Sequence, residues 1–357
     1  MYRKFYHFYL ILFILFSLFN YLVADTIKIK LDHGRIFIVD SESFMYTDIG
    51  RYSIAKYSLE GKLMLRFGRK GEGPGDIKRL GWFCISPVDG NIYVSEFIGG
   101  NKWITVFSPE GKFLKIITPK IDKRIYDGYS FIKVDKSGNI YVVGIKTNWK
   151  KYKDFYLGEM KSDIIKISPT GELLKVIYST KSPFNCEKAG KGNITIPFHN
   201  YLYFDLCKDN LIVKEASKEY VSIFNLDGKR IKDLKVPFKR EKVEYKDIKE
   251  WKIWLEDVAK NLIDRGILDL KYWEKRIPFP EYKPQTSWLI FCDKKGSVIV
   301  LKSSGFDVKA KYKWAKIDLK DGSYKFKITD SKIIFLNDKY IYLEEDEGVI
   351  RISRTEF

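Results

Sequence analysis

The chain has 357 residues, of which 45% are hydrophobic and 31% charged, and its formal net charge is +18. This balance excludes a disordered or collagen-like chain, and three histidines are too few for a histidine-rich metal centre. The positive charge favours acidic partners, although the lysines are spread along the chain rather than clustered.

The chain opens on a basic start, Arg3 and Lys4. A nearly unbroken apolar run follows from Phe8 to Phe19, and Leu22-Val23-Ala24 precedes Asp25. This is the three-part layout of a secretory signal peptide. Its apolar centre is shorter than the ~20 residues that span a bilayer. Residues 1–24 are therefore read as a signal peptide or signal anchor and 25–357 as the exported domain. Contact with a membrane is expected only through the first segment, if it stays uncleaved. No cysteine follows the signal region, so lipoprotein anchoring is not expected.

A turn that opens a short apolar strand recurs six times. The copies begin at Asp32, Asp89, Asp135, Lys208, Asp293 and Asn337, and Asp89-Gly90-Asn91 before Ile92-Tyr93-Val94 is typical. Asp and Asn bond their own backbone in such turns, and Gly or Asn tolerates positive φ. Runs that are apolar on both faces suit strands buried between sheets. A second landmark is a hairpin with Gly at its exit: Gly61, Gly111, Gly171, Gly228 and Gly322, spaced 50, 60, 57 and 94 residues apart. Removing an insertion of roughly 40 residues from the last gap restores a period near 50, the period of propeller blades.

These repeats predict an all-β, six-bladed β-propeller. The sixth copy is short of a strand. Thr26-Ile27-Lys28-Ile29-Lys30 alternates and is expected to complete that blade and close the ring, since an open ring leaves unpaired edges. The insertion, about 241–280, falls between blades four and five. Ile248, Trp251, Trp254, Leu255, Val258 and Leu262 have helical spacing over Asp247 to Arg265, with Gly266 as a stop and a second short helix over Ile267 to Trp273. Such a helix either packs on the propeller or serves as a lid or partner-binding element through Trp251 and Trp254.

With these repeats, and with Phe67-Gly68-Arg69-Lys70-Gly71-Glu72-Gly73-Pro74-Gly75-Asp76 after the first hairpin, the chain resembles six-bladed β-propeller families of exported bacterial proteins related to NHL-repeat proteins. The resemblance covers nearly all of the chain after the signal region. It implies the fold and export. Many such proteins are lipoproteins, which the cysteine pattern here does not match.

Chemistry is sparse. Gly71-Glu72-Gly73-Pro74-Gly75 lacks the Gly-Lys-Ser/Thr ending of a phosphate loop, and Pro74 removes an N–H, so a structural turn is expected, with Arg69 and Lys70 presenting charge beside it. His33 and His199 have no nucleophile motif to support a triad. Cys84, Cys207 and Cys292 precede repeat turns on different blades, positions expected to lie too far apart for a disulfide. Cys186–Cys207 is the one pair entertained, with lone buried thiols as the simpler reading.

The expectation is an exported, non-catalytic binding or interaction scaffold at the cell envelope, without a cofactor. Protein or an anionic polysaccharide is the expected partner, and export argues against nucleic acid. The second reading is a metal-dependent, lactonase-like or NHL-lyase-like hydrolase or lyase. It would hold a divalent cation such as Ca²⁺ in the channel through Asp40, Glu96 and Asp205.

Overall fold

The computed structural model describes residues 27–30, 36–40, 44–50, 52–97, 102–293, 295–302, 311–336, 340–346 and 349–354. The signal segment, His33 and the turn at 337–339 lie outside them. The described residues build an all-β, propeller-like fold of six antiparallel sheets with four or five strands each.

The first sheet holds Phe37–Val39, Met45–Ile49, Ser53–Tyr57 and Leu63–Phe67. The second holds Leu80–Ile85, Ile92–Glu96, Ile104–Phe107 and Phe113–Ile117. The third holds Gly128–Val134, Ile140–Tyr152, Phe155–Ile167, Leu173–Lys188 and a fifth strand, Gly192–Thr195. The fourth holds Leu202–Cys207, Asn210–Glu215, Tyr220–Asn225 and Arg230–Lys235. The fifth holds Thr286–Cys292, Ser297–Lys302, Tyr312–Asp318 and Tyr324–Thr329. The sixth holds Lys332–Leu336, Tyr340–Asp346 and Val349–Arg354, and the N-terminal strand Ile27–Lys30 completes it, with Ile29 opposite Ile350.

Each sheet is apolar on both faces because it is covered on both. One apolar cluster joins the first and second sheets through Ile54, Phe67, Phe83 and Val94. The next joins the second and third through Val106 and Ile165. Further clusters join the third to the fourth through Ile164 and Phe204, and the fourth to the fifth through Ile212 and Val300. Trp314 and Leu343 join the fifth to the sixth, and Tyr342 and Met45 join the sixth to the first. The first strands of successive sheets approach one another, while the fourth strands expose residues such as Met64, Leu114, Ile231 and Ile328.

The hairpin glycines have a structural reason. Gly111 has φ +74°, and a Cβ there would lie 2.9 Å from the Phe67 side chain of the preceding sheet. The same contact with the preceding sheet recurs as Gly61 on Ile29, Gly171 on the Thr118 carbonyl, Gly228 on Ile177 and Gly322 on Leu234. Lysines reach across the same joints. Lys56 Nζ donates to the Pro109 carbonyl (3.3 Å), Lys166 to Leu226 (2.9 Å) and Lys232 to Lys320 (2.8 Å). Part of the spread basic charge thus ties hairpin carbonyls to the neighbouring sheet.

The cysteine expectation is corrected. Cys207 and Cys292 form a disulfide with Cα atoms 5.4 Å apart, while Cys84 and Cys186 are free and buried. The two bonded residues end the first strands of adjacent sheets, where the strands converge. At this end of the first strands, equivalent positions of these two adjacent sheets come within disulfide reach. Cys186 instead packs against the helical insertion.

That insertion follows Arg230–Lys235 and is pinched at its base by a Lys242–Tyr282 bridge. It has three helices: α1 (Tyr245–Val258), α2 (Lys260–Asp264) and α3 (Leu270–Glu274). The single helix expected to Arg265 breaks at Ala259. Asp247 caps α1 by accepting from the Glu244 N–H (2.8 Å), and it also pairs with Lys283 (2.8 Å). Trp251, Leu255 and Trp273 pack against Phe155, Leu157, Cys186 and Ile194 of the third sheet. The long strands of that sheet provide the floor on which the insertion rests.

Candidate functional site

A cavity of about 350 Å³ opens between the second, third and fourth sheets. This size lies at the low end of the range for small-molecule sites, ~300–1,000 Å³. The second sheet contributes Arg79, Trp82 and Phe97, the third Phe131, Met160 and Phe184, and the fourth Tyr201 and Tyr203.

Two bulges shape the opening. In the second sheet Leu80 pairs with Glu96 and Trp82 with Ser95, which leaves Gly81 as the extra residue. A Cβ at Gly81 would lie 2.7 Å from the Tyr129 carbonyl, so only glycine permits this approach of the second sheet to the third. In the third sheet Ser130 and Ile132 pair with the consecutive Val143 and Val142, and Phe131 is extra. Phe131 has φ +48°, a left-handed conformation that is costly for a bulky side chain. Bulges re-aim side chains beside functional sites, and this one adds an aromatic ring to the cavity wall.

The wall is a run of ring contacts. Trp82 lies 4.7 Å from Phe131, and Phe131 meets Tyr203 edge-on at 5.2 Å. Tyr203 stacks on Tyr201 at 5.7 Å, Tyr201 lies 3.9 Å from His199, and His199 meets Phe184 at 4.9 Å. Each such pair contributes roughly 0.5–1.5 kcal/mol beyond its burial, so the wall is held before any ligand enters.

Two polar groups, one in this wall and one behind it, lack partners among the described residues. The buried Tyr203 hydroxyl has none among the described residues, and burial pushes its ionisation well above the usual phenol range. His199 Nδ1 lies 2.8 Å from the Ile196 carbonyl, while its buried Nε2 has no partner among the described residues. Burial lowers the His199 pKa to about 4, so the ring is neutral at physiological pH. A buried donor or acceptor left unmatched costs roughly 1–3 kcal/mol. At the rim, the Arg79 guanidinium lies 5.4 Å over the Phe97 ring.

The residues singled out from the sequence lie elsewhere. Arg69 is bonded to Asp76 (2.6 Å), and this bond holds the Asp76 carboxyl below its usual range. Asp76 also accepts from the Gly73 N–H (3.1 Å), so the glycine-rich loop is a closed structural turn. Lys70 lies 5.4 Å over the Tyr52 ring. Trp251 is 1% exposed and packs edge-on to Phe279, which makes it an anchor for α1 and removes it from any partner surface. Trp254 is 41% exposed on the same helix.

The three channel carboxylates do not converge. Asp40 accepts from the Phe44 N–H (2.8 Å), and Glu96 accepts from the Lys78 and Arg79 N–H groups (2.9 Å each). Asp205 pairs with Lys133 (2.6 Å) and accepts from the Cys292 N–H (3.0 Å). Among the described residues no three His, Cys, Asp or Glu side chains are grouped to hold a metal ion.

Two solved structures share this fold. One is a Bacteroides fragilis protein named for its expected export. It is 10% identical, with 93% of this chain and 95% of that one covered and a TM-score of 0.52. The other is a DUF4221 family member from Bacteroides vulgatus, 12% identical, with 93% and 96% covered and a TM-score of 0.53. At these identities the likeness is one of fold. No family model matches the sequence, and no curated protein does.

Proposed function

We propose that the protein is an exported, six-bladed β-propeller whose role is binding, and that the aromatic cavity receives a planar, largely apolar ring. The six sheets, each packed on the next and the sixth on the first, support the blade count. The signal-like start and the Cys207–Cys292 disulfide support an oxidising, exported setting. The fold shared with a protein named for its expected export is in keeping with it.

The observation that carries the binding role is Phe131, held in a left-handed bulge with its ring between Trp82 and Tyr203. The ring contacts of Phe131 offset part of the backbone strain, and at a cavity wall the same ring also gives a ligand a surface to stack on.

A panel of ring compounds screened by thermal shift tests this reading. A ligand at about 100 times its Kd stabilises by ~2.7 kcal/mol. Hits that bind the wild type and lose affinity in Trp82→Ala and Phe131→Gly support the site. Hits indifferent to both substitutions place binding elsewhere.

A further inference from the structure

The third sheet carries a second feature, independent of the cavity. Its second strand, Ile140–Tyr152, is longer than the first strand beside it, whose pairing ends at Gly128–Ile145. Beyond that point the strand still pairs with Phe155–Ile167 on one side, from Lys146–Lys161 to Tyr152–Phe155. Past Thr147 its other edge is open among the described residues.

The orientation of the open groups follows from two hydrogen bonds. The Asp127 N–H donates to the Ile145 carbonyl (2.7 Å), and the Thr147 N–H donates to Asp127 Oδ2 (2.9 Å). The odd-numbered residues thus direct N–H and C=O toward the open side, because these groups alternate sides along a strand. Trp149 and Lys151 continue that series, and among the described residues their main-chain groups on this side have no partner. Trp149 is 42% exposed, and residues 149–154 are all exposed.

The edge also carries an excess of positive charge, with Asp127 as a carboxylate upon it. Lys146, Lys150, Lys151 and Lys153 fall between 146 and 153, with no carboxylate among them. Lys146 pairs with Asp127, Lys150 lies 4.0 Å from Glu159, and Lys153 lies over Tyr152. Lys151 makes no ion pair among the described residues. Lysines on an edge deter pairing with other copies of the chain, which are themselves basic. The same lysines favour a strand of opposite charge.

We propose that this edge binds an extended acidic polypeptide segment of a partner protein by strand addition. The segment bonds to the main chain at Trp149 and Lys151, and its carboxylates face the lysines. Main-chain bonds supply affinity in this mode, and side chains select the partner.

The test uses the full mature protein and a ten-residue peptide alternating Glu and Thr. Three comparisons accompany it: the same peptide with Lys for Glu, the acidic peptide N-methylated at every residue, and a polygalacturonate oligomer. The acidic peptide should bind with an affinity that falls as salt rises, and the Lys version should bind at least about tenfold more weakly. N-methylation should weaken binding about fivefold for each bond lost. Lys151→Pro should do the same while leaving the melting temperature near wild type, because an edge N–H facing solvent is dispensable to the sheet. Equal binding of the N-methylated peptide to wild-type protein overturns the proposal. So does polygalacturonate that binds as well as the acidic peptide, or no acidic-peptide binding at millimolar concentration.

Discussion

Joining Cys207 to Cys292 closes a loop across 85 residues of sequence, from the fourth sheet through the helical insertion to the fifth. In the chain-entropy description, a loop of that length removes about 4–5 kcal/mol from the unfolded ensemble, and native disulfides typically deliver 2–5 kcal/mol. At roughly 2.1 cal/mol/K per residue over roughly 330 residues, unfolding entropy is near 0.7 kcal/mol/K, so a loss of about 3.5 kcal/mol lowers Tm by about 5 °C. The perturbation is the double variant Cys207→Ala/Cys292→Ala, melted by circular dichroism with and without reductant. Reductant should lower the wild type by about 5 °C to the level of the variant, and the variant should not respond. Identical melting of all four samples would refute the assigned role. A variant still sensitive to reductant would mean that another pair is bonded.

Two further perturbations test other joints. His199 has its pKa lowered to about 4 by burial, against 6.5 in the unfolded chain, so the unfolded state binds the extra proton between these values. Stability should therefore fall by about 3 kcal/mol as pH drops from 6.5 to 4, and His199→Gln should remove that part of the pH dependence in denaturant titrations. An unchanged slope would show that the ring is not held neutral. Gly111→Ala forces a Cβ onto Phe67 at a left-handed backbone position and should cost at least about 1–3 kcal/mol in chemical unfolding. Neutral behaviour would contradict the close joint between the first two sheets.

The turn and hairpin spacings made the sheets legible, because Asp, Asn and Gly are needed there by local backbone chemistry. The closing strand Ile27–Lys30 was legible because the last copy is visibly short. The disulfide was misread because sequence period conveys order around a ring but not how closely first strands approach at its centre. Trp251 was ambiguous for a related reason. Helical spacing identifies an apolar face but not its cover, which here is the long third sheet.

The cavity was not read at all, since its residues fall just before the landmarks. Trp82, Phe131 and Tyr203 each lie in the strand preceding a repeat turn, a strand that the turn and hairpin landmarks do not include. Aromatic residues recurring there in Gly81-Trp82-Phe83, Gly128-Tyr129-Ser130-Phe131 and Tyr201-Leu202-Tyr203-Phe204 were the available signal. The bulge that turns Phe131 into the wall depends on register between strands, which no local pattern specifies.

The binding role is tested most directly by Phe131→Gly, measured for both stability and affinity toward a ring compound found by thermal shift. Glycine relieves the left-handed strain, which offsets the packing lost from a half-buried ring, so stability should stay within about 1 kcal/mol of wild type. Affinity should fall about tenfold or more as the stacking surface is removed. A large loss of stability with unchanged affinity would contradict the account and make Phe131 a structural residue.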